Sequence, residues 1–279
     1  MTVSTHIDLG AGTSSFFSAA RFLHLSKAQW AEQRRQYLGH MLVVGMLAVV
    51  VLLFMLVLAS GREFPTWIQQ VLYLWGLFFT GFVFAARYFE AMARRESALL
   101  TLMRPASVFE KWLLCVLVVA VLYPLCYSLL FLAFTWPVRQ IVLAIGALDF
   151  PSNGFDAAKH ALFVPMWPHS HDSSVFSARQ QVGFLIALWA LQALAVAGSL
   201  YFRRAAMLKT MALVFVLFLM TILVSATARA SGTVLLAWWS FSNTSVSIAV
   251  HAINATLWLV LPLLLWLQAY LHLRDKELS

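Results

Sequence analysis

A chain of 279 residues that is 62% hydrophobic and only 11% charged cannot cover itself with water-facing surface, because a soluble domain carries about 25% charged residues. A mean hydropathy of +0.83, twenty-two Phe and eleven Trp point instead to a lipid-facing exterior with aromatic belts at headgroup depth. The formal charge of +8 is explained below by where the cations fall beside the membrane, and it gives no reason to invoke nucleic acid.

Residues 1–40 contain no apolar stretch of the kind found in cleavable leaders. Within them Phe16–Gln36 mixes apolar and basic residues. Ser26 followed by Gln29 fits a capping box, with Leu25 and Trp30 at the positions of a hydrophobic staple. This pattern predicts a helix that starts near Lys27 and runs along the interface before turning into the first span. Trp30 and Tyr37 would then lie at headgroup depth and Arg34 and Arg35 among the phosphates. A plain solvated extension of the first helix fits the same residues.

Six uncharged runs follow: Met41–Ser60, Trp67–Ala86, Trp112–Trp136, Gly183–Phe202, Met211–Ala228 and Val246–Leu271. Each matches the roughly 20 residues of helix needed to cross a hydrocarbon core about 30 Å thick. Barrel strands would alternate in polarity over about ten residues, and these runs are continuous. The expected fold is therefore an all-α integral membrane protein. Residues 1–40 form a cytoplasmic N-terminus with an interfacial elbow helix, and residues 41–279 form a domain of six transmembrane helices. With both termini cytoplasmic, the inner segments hold fourteen of the nineteen Lys and Arg. Arg62, Arg139, Lys159, Arg179 and Arg229 fall outside. The positive-inside rule selects this topology over its inverse.

The inner connection 87–111 carries Glu90, Arg94, Arg95, Glu96, Leu99, Leu100 and Met103, then Arg104 and Pro105. Pro105 disfavours helix at Arg104. Ser107 with Glu110 is a second capping box, so a new helix should start there, pass through Lys111 and become the third span. The intervening 90–103 is long enough for a short helix, which would either dock into a partner or pack under its own bundle. Cys115 and Cys126 lie in the third span and read as small apolar residues. The outer segment 137–180 begins with an apolar stretch, Val138–Phe150, that suits the outer leaflet. It continues as loop around His169, His171 and Asp172, whose types suit a metal but whose closeness rarely completes a site. Arg203, Arg204 and Lys209 read as anchors of an inner loop.

Several chemistries have no signature here. There is no GxxxxGK[ST] phosphate loop, no HExxH and no GxSxG. Inside the spans the charge-bearing chemistry reduces to His251, with Asn254 a turn away, which argues against an ion-coupled carrier.

Three water-facing stretches carry a resemblance. RFLHLSKAQWAEQRRQYL at 21–38 is similar to the basic, aromatic elbow helix of type-2 ABC transporter permeases, in particular a bacterial group of six-span half-permeases. LTLMRPASVFEKWL at 100–113 resembles their LPASxxEK stretch, with Arg104 where that pattern has Leu. GSLYFRRAAMLKT at 198–210 resembles their GSxFFKK…KT signature. Together these cover about a sixth of the chain. The resemblance implies a permease subunit, an exporter without a catalytic site of its own, in the bacterial cytoplasmic (inner) membrane. Its partners would be ATP-binding-cassette ATPase subunits, which carry the ATP and Mg, and a second permease chain.

The same resemblance implies that the helix of about Glu90–Met103, ending at Pro105 and Ser107, is the coupling helix that touches the ATPase. Glu110 and Lys111 would sit at its junction with the third span, and Arg203, Arg204 and Lys209 along the second inner loop. Two alternatives stand beside it. One is an intramembrane enzyme acting on a lipid-linked substrate through His169, His171 and Asp172. The other is a structural protein of the envelope.

Overall fold

The computed structural model describes residues 17–58, 64–89, 106–149, 157–165, 178–202, 206–230 and 248–278. Every regular element among them is helical. Helix α1 is Ala19–Leu58 and α2 is Thr66–Tyr88. Helix α3 is unbroken but changes pitch: α-helical over Val108–Val116, a π segment over Leu117–Leu122, and α-helical again over Tyr123–Asp149. After a 3-10 turn at Ala157–His160 come α4 (Ala178–Tyr201) and α5 (Ala206–Ala230). Helix α6 runs from Ile248 to Leu278 with a π segment at Thr256–Val260.

Four helices are long and apolar enough to cross a membrane, over Ala19–Val57, Thr66–Tyr88, Val108–Gly146 and Gln180–Tyr201. Their surfaces agree with that reading. Along α1, Leu42, Met46, Val50, Phe54 and Val57 recur at helical spacing and each is more than half exposed. Such a stripe would be an aggregation site in water and is ordinary surface in lipid.

Two boundaries depart from expectation. Helix α1 starts at Ala19, eight residues before Lys27, and no break separates the basic stretch from the apolar run. Ser26 does not cap it: its Oγ donates to the Leu23 carbonyl at 2.9 Å from inside the helix. Nor does the lower half of α1 lie apart from the bundle, since Leu25 is buried in the main core with Phe22, Tyr37 and Met41 packed against it. The second departure is at Pro137, just past the expected end of the third span at Trp136: it sits inside α3 and does not end it, so that the apolar stretch Val138–Asp149 continues the same helix. Proline removes one backbone bond, and neighbouring helices commonly compensate for that in a membrane helix.

The helices alternate in direction, as their contacts show. We call the end where α1 begins the base. Ser18 and Arg21 meet Glu110 there, Gln29 meets Tyr88, Trp112 donates to the Trp266 carbonyl, and Tyr201 faces His272. Thus α1, α3 and α5 start at the base, while α2, α4 and α6 end there. Helix α4 is central, with Leu188, Ala193, Ala195 and Val196 fully buried against α2, α5 and α6. A second small core of Leu52, Phe64 and Val142 joins α1, α2 and α3 at the far end.

Candidate functional site

The base is organised by one carboxylate. Glu110 is completely buried. Its backbone N–H donates to Ser107 Oγ at 3.2 Å, and its Oε2 accepts from the Ser107 backbone N–H at 3.0 Å. The capping box expected from the sequence is thereby formed in both directions. The second oxygen, Oε1, accepts from the Ser18 backbone N–H at 2.8 Å and from Arg21 Nη2 at 3.1 Å. A group that caps α3 therefore also holds the start of α1. Phe17 reinforces the joint with its ring edge-on to Phe109. The carboxylate satisfies two backbone N–H groups at helix starts and pairs with the partly exposed Arg21 guanidinium.

Lys111, the next residue, is also buried. Lys209 is exposed at the start of α5, with its Nζ 5.5 Å from the centre of the Phe202 ring. Helices α4 and α5 approach closely here: a Cβ on Gly198 would overlap the side chain of buried Thr210. The glycine and threonine that bound the 198–210 stretch are thus packed on each other. Glu90, Arg94, Arg95, Glu96, Leu99, Leu100, Met103, Arg104, Pro105, Arg203 and Arg204 lie outside the described residues, as do His169, His171 and Asp172.

A second assembly lies within the bundle, and sequence reasoning missed it. Tyr123, at the end of the π segment, donates to Thr80 Oγ1 at 2.6 Å, and Thr80 donates to the Gly76 carbonyl at 2.5 Å. One turn along, Tyr127 donates to the Tyr73 carbonyl at 3.3 Å, and Tyr73 shares a 2.9 Å bond with Ser128. The His40 ring stands 5.3 Å from Phe84 and 5.8 Å from Tyr123. Gln192 of α4 completes the level, its Nε2 3.5 Å from where a Cβ on Gly81 would stand. The expectation about the spans concerned charge-bearing groups; beside these the spans carry a buried ladder of neutral polar groups across α1–α4. Neutral Tyr, Thr and Gln are invisible to a search for charges. The amide of Gln192, inside an otherwise apolar run, was the available signal.

The π segment has a visible consequence. A π turn breaks the regular i→i+4 pairing and re-aims a carbonyl. Here the Ala120 carbonyl accepts from Trp189 Nε1 at 2.9 Å, which pins α3 to α4 beside Tyr123.

At the opposite end, residues 159–163 form a strap across the start of α2. Gln69 Nε2 donates to the carbonyls of Phe64 (3.1 Å) and Ala161 (3.2 Å), and its Oε1 accepts from the Phe163 N–H at 2.9 Å. Thr66 Oγ1 donates to the Ala161 carbonyl, the Phe64 N–H donates to His160 Nδ1, and Arg139 Nε donates to the His160 carbonyl at 2.7 Å. Among the described residues no group of three or more His, Cys, Asp or Glu gathers to hold a metal, and Cys115 and Cys126 are free thiols. Comparison of the chain with family models, with curated proteins and with solved structures finds no match.

Proposed function

We propose that the chain is the membrane permease subunit of an ATP-binding-cassette transporter, an exporter with six spans and both termini in the cytoplasm. A separate ATPase subunit, binding ATP and Mg, would drive it through the segment that precedes Ser107. The observation that carries this reading is the Glu110 joint. A lever can move a bundle only if the helix it pushes does not fray at its first turn. Glu110 closes that turn and fastens it to α1, so force delivered just before Ser107 would displace two long helices together. The packing of Gly198 on Thr210 supports the same reading, because it holds the end of α4 against the start of α5.

Span count and orientation belong to this proposal. Helix α5 is 25 residues long with its cations confined to Lys209 and Arg229 near its ends, and α6 is continuous through its apolar run to Arg274. Adding them to the four long apolar helices gives six spans with the base inside. The lower half of α1, with Arg34 and Arg35 exposed, would then stand at the inner interface as a continuation of the first span. Two such chains would line the path.

The test is purification of the tagged chain from its native membrane in mild detergent. A nucleotide-hydrolysing subunit should accompany it, and the substitutions Glu96→Lys and Leu99→Asp should leave the spans folded while uncoupling hydrolysis from transport in vesicles. Recovery of the chain without any ATPase would defeat the proposal.

A further inference from the structure

The strap over the start of α2 is fastened by a histidine, and the fastening works in one protonation state alone. The Phe64 N–H donates to His160 Nδ1 at 3.2 Å, between two residues that are both buried. A backbone N–H can only donate, so the ring nitrogen facing it must be unprotonated. The imidazole is therefore neutral, with its proton on Nε2. Phe64 precedes the first turn of α2, so no carbonyl of that helix is available to its N–H.

An imidazolium in the same place would set two donors against each other, since both of its nitrogens carry protons. Among the described residues, the charged groups around it are also cations. Arg139 reaches over from α3, its Nε donating to the His160 carbonyl at 2.7 Å, and Lys159 lies next to His160 on the strap itself. The start of α2 and the residues before it, 64–70, bring no ionisable side chain. Protonation in place would thus cost a hydrogen bond and bury a charge beside a guanidinium, and both costs are relieved when the ring turns out into water.

The strap is short enough for that movement to be felt along it. The Ala161 carbonyl accepts from Thr66 and Gln69, and the Phe163 N–H donates to Gln69 Oε1. The buried Phe163 ring stands 5.4 Å from Tyr73 and walls a narrow cleft between α2 and α4, together with Gln181, Phe184 and Leu185.

We propose that His160 is a pH-sensitive latch: neutral, it holds the 159–163 strap on the start of α2, and protonated, it frees the strap and loosens Phe163 from the cleft. The sign follows from where the proton goes. The released strap takes it up and the fastened strap does not, so the fastening is present at neutral pH and is lost as pH falls. Histidine is the side chain that ordinarily changes charge between pH 5 and 8. The inference does not need the permease reading; with the base inside, the latch would face the outer side.

The test is hydrogen exchange of the full-length chain in phospholipid nanodiscs at about pH 7.5 and about pH 5.0. Single amides are resolved by fragmentation and mass spectrometry, and each rate is divided by its intrinsic rate at that pH. Protection of the Phe64 and Phe163 amides should fall at least about fivefold at the lower pH, as for the loss of one hydrogen bond, while the Leu188 amide in the middle of α4 keeps its protection. His160→Asn and His160→Ala should both abolish this pH dependence, with His160→Ala weakly protected at either pH. Unchanged protection in the parent, an equal fall in either variant, a fall at Phe64 without one at Phe163, or an equal fall at Leu188 would overturn the proposal. Failure of the permease reading would appear separately, as the absence of a copurifying ATPase, with the pH dependence intact.

Discussion

Substituting Ala for Gly76 should destabilise the bundle, against the usual direction for a helix interior. In an open helix the change favours Ala by about 1 kcal/mol. At Gly76 the new Cβ would overlap the Tyr127 hydroxyl and stand 3.2 Å from Cζ of the same ring. The ring cannot retreat: it is buried between Tyr123 and Phe131, each 6.4 Å away between centroids, with Tyr73 at 5.6 Å. Overpacking of this kind costs about 1–3 kcal/mol, and losing the 3.3 Å bond to the Tyr73 carbonyl adds about 0.5–1 kcal/mol. Set against the helix gain, Gly76→Ala should lose about 0.5–3 kcal/mol. Tyr127→Phe deletes the overlapping atom and leaves a contact that a few tenths of an ångström relieves. The double variant should therefore be more stable than Gly76→Ala alone, a coupling of at least about 1 kcal/mol. Reversible unfolding by SDS titration, followed by circular dichroism, measures all four corners of the cycle. A Gly76→Ala protein as stable as its parent, or a double variant no better than the single, would refute the proposed packing.

Three further outcomes can be measured in the same titration or by hydrogen exchange. Ser107→Ala should cost about 1 kcal/mol as a lost cap; Glu110→Ala, which strands the Ser18 and Ser107 N–H groups together, should cost about 2–3 kcal/mol, and Glu110→Gln less, since it keeps an acceptor. Gly39→Ala, with nothing within 4 Å of the new Cβ, should stabilise by about 0.5–1 kcal/mol, whereas Gly198→Ala, against buried Thr210, should destabilise. Gln69→Leu should release the 159–163 strap, with exchange of the Phe163 amide at least about tenfold faster, about 1.4 kcal/mol of local protection; unchanged exchange would mean that the strap is held without Gln69.

What could be read from the sequence follows from how local each signal is. The second uncharged run, 67–86, returned as Thr66–Tyr88, because Pro65 and Arg87 mark its ends within a few residues. The Ser107–Glu110 box was legible for the same reason: both of its bonds span three residues. Ser26 misled because a serine followed by glutamine has two uses, and inside a helix the hydroxyl turns back to a carbonyl of the preceding turn. Pro137 misled because its cost is set by neighbours that local sequence does not reveal. The other half of Glu110's role needs Ser18 and Arg21, about ninety residues away, and the ladder needs His40, Thr80, Tyr123 and Gln192 from four helices. No period or spacing announces such a meeting; only the packing does.

The two longest helices set how motion would pass through the proposed permease. Helices α1 and α3 run parallel and are joined at both ends, by Ser18 and Arg21 to Glu110 at the base and by Leu52 beside Val142 at the far end. The ladders between these joints are 34 and 32 residues long, about 50 Å of helix each. Rods of nearly equal length, pinned at both ends, cannot slide past each other by a turn without breaking one of the joints. They would tilt as a unit, and a tilt about the far joint moves the base most and the middle by about half as much. Tyr123 lies near that middle, bonded to Thr80 and touching the Gly81–Gln192 seam. A push that starts before Ser107 would therefore be felt at the Gly81–Gln192 seam, and the Glu110 joint is what would carry it there.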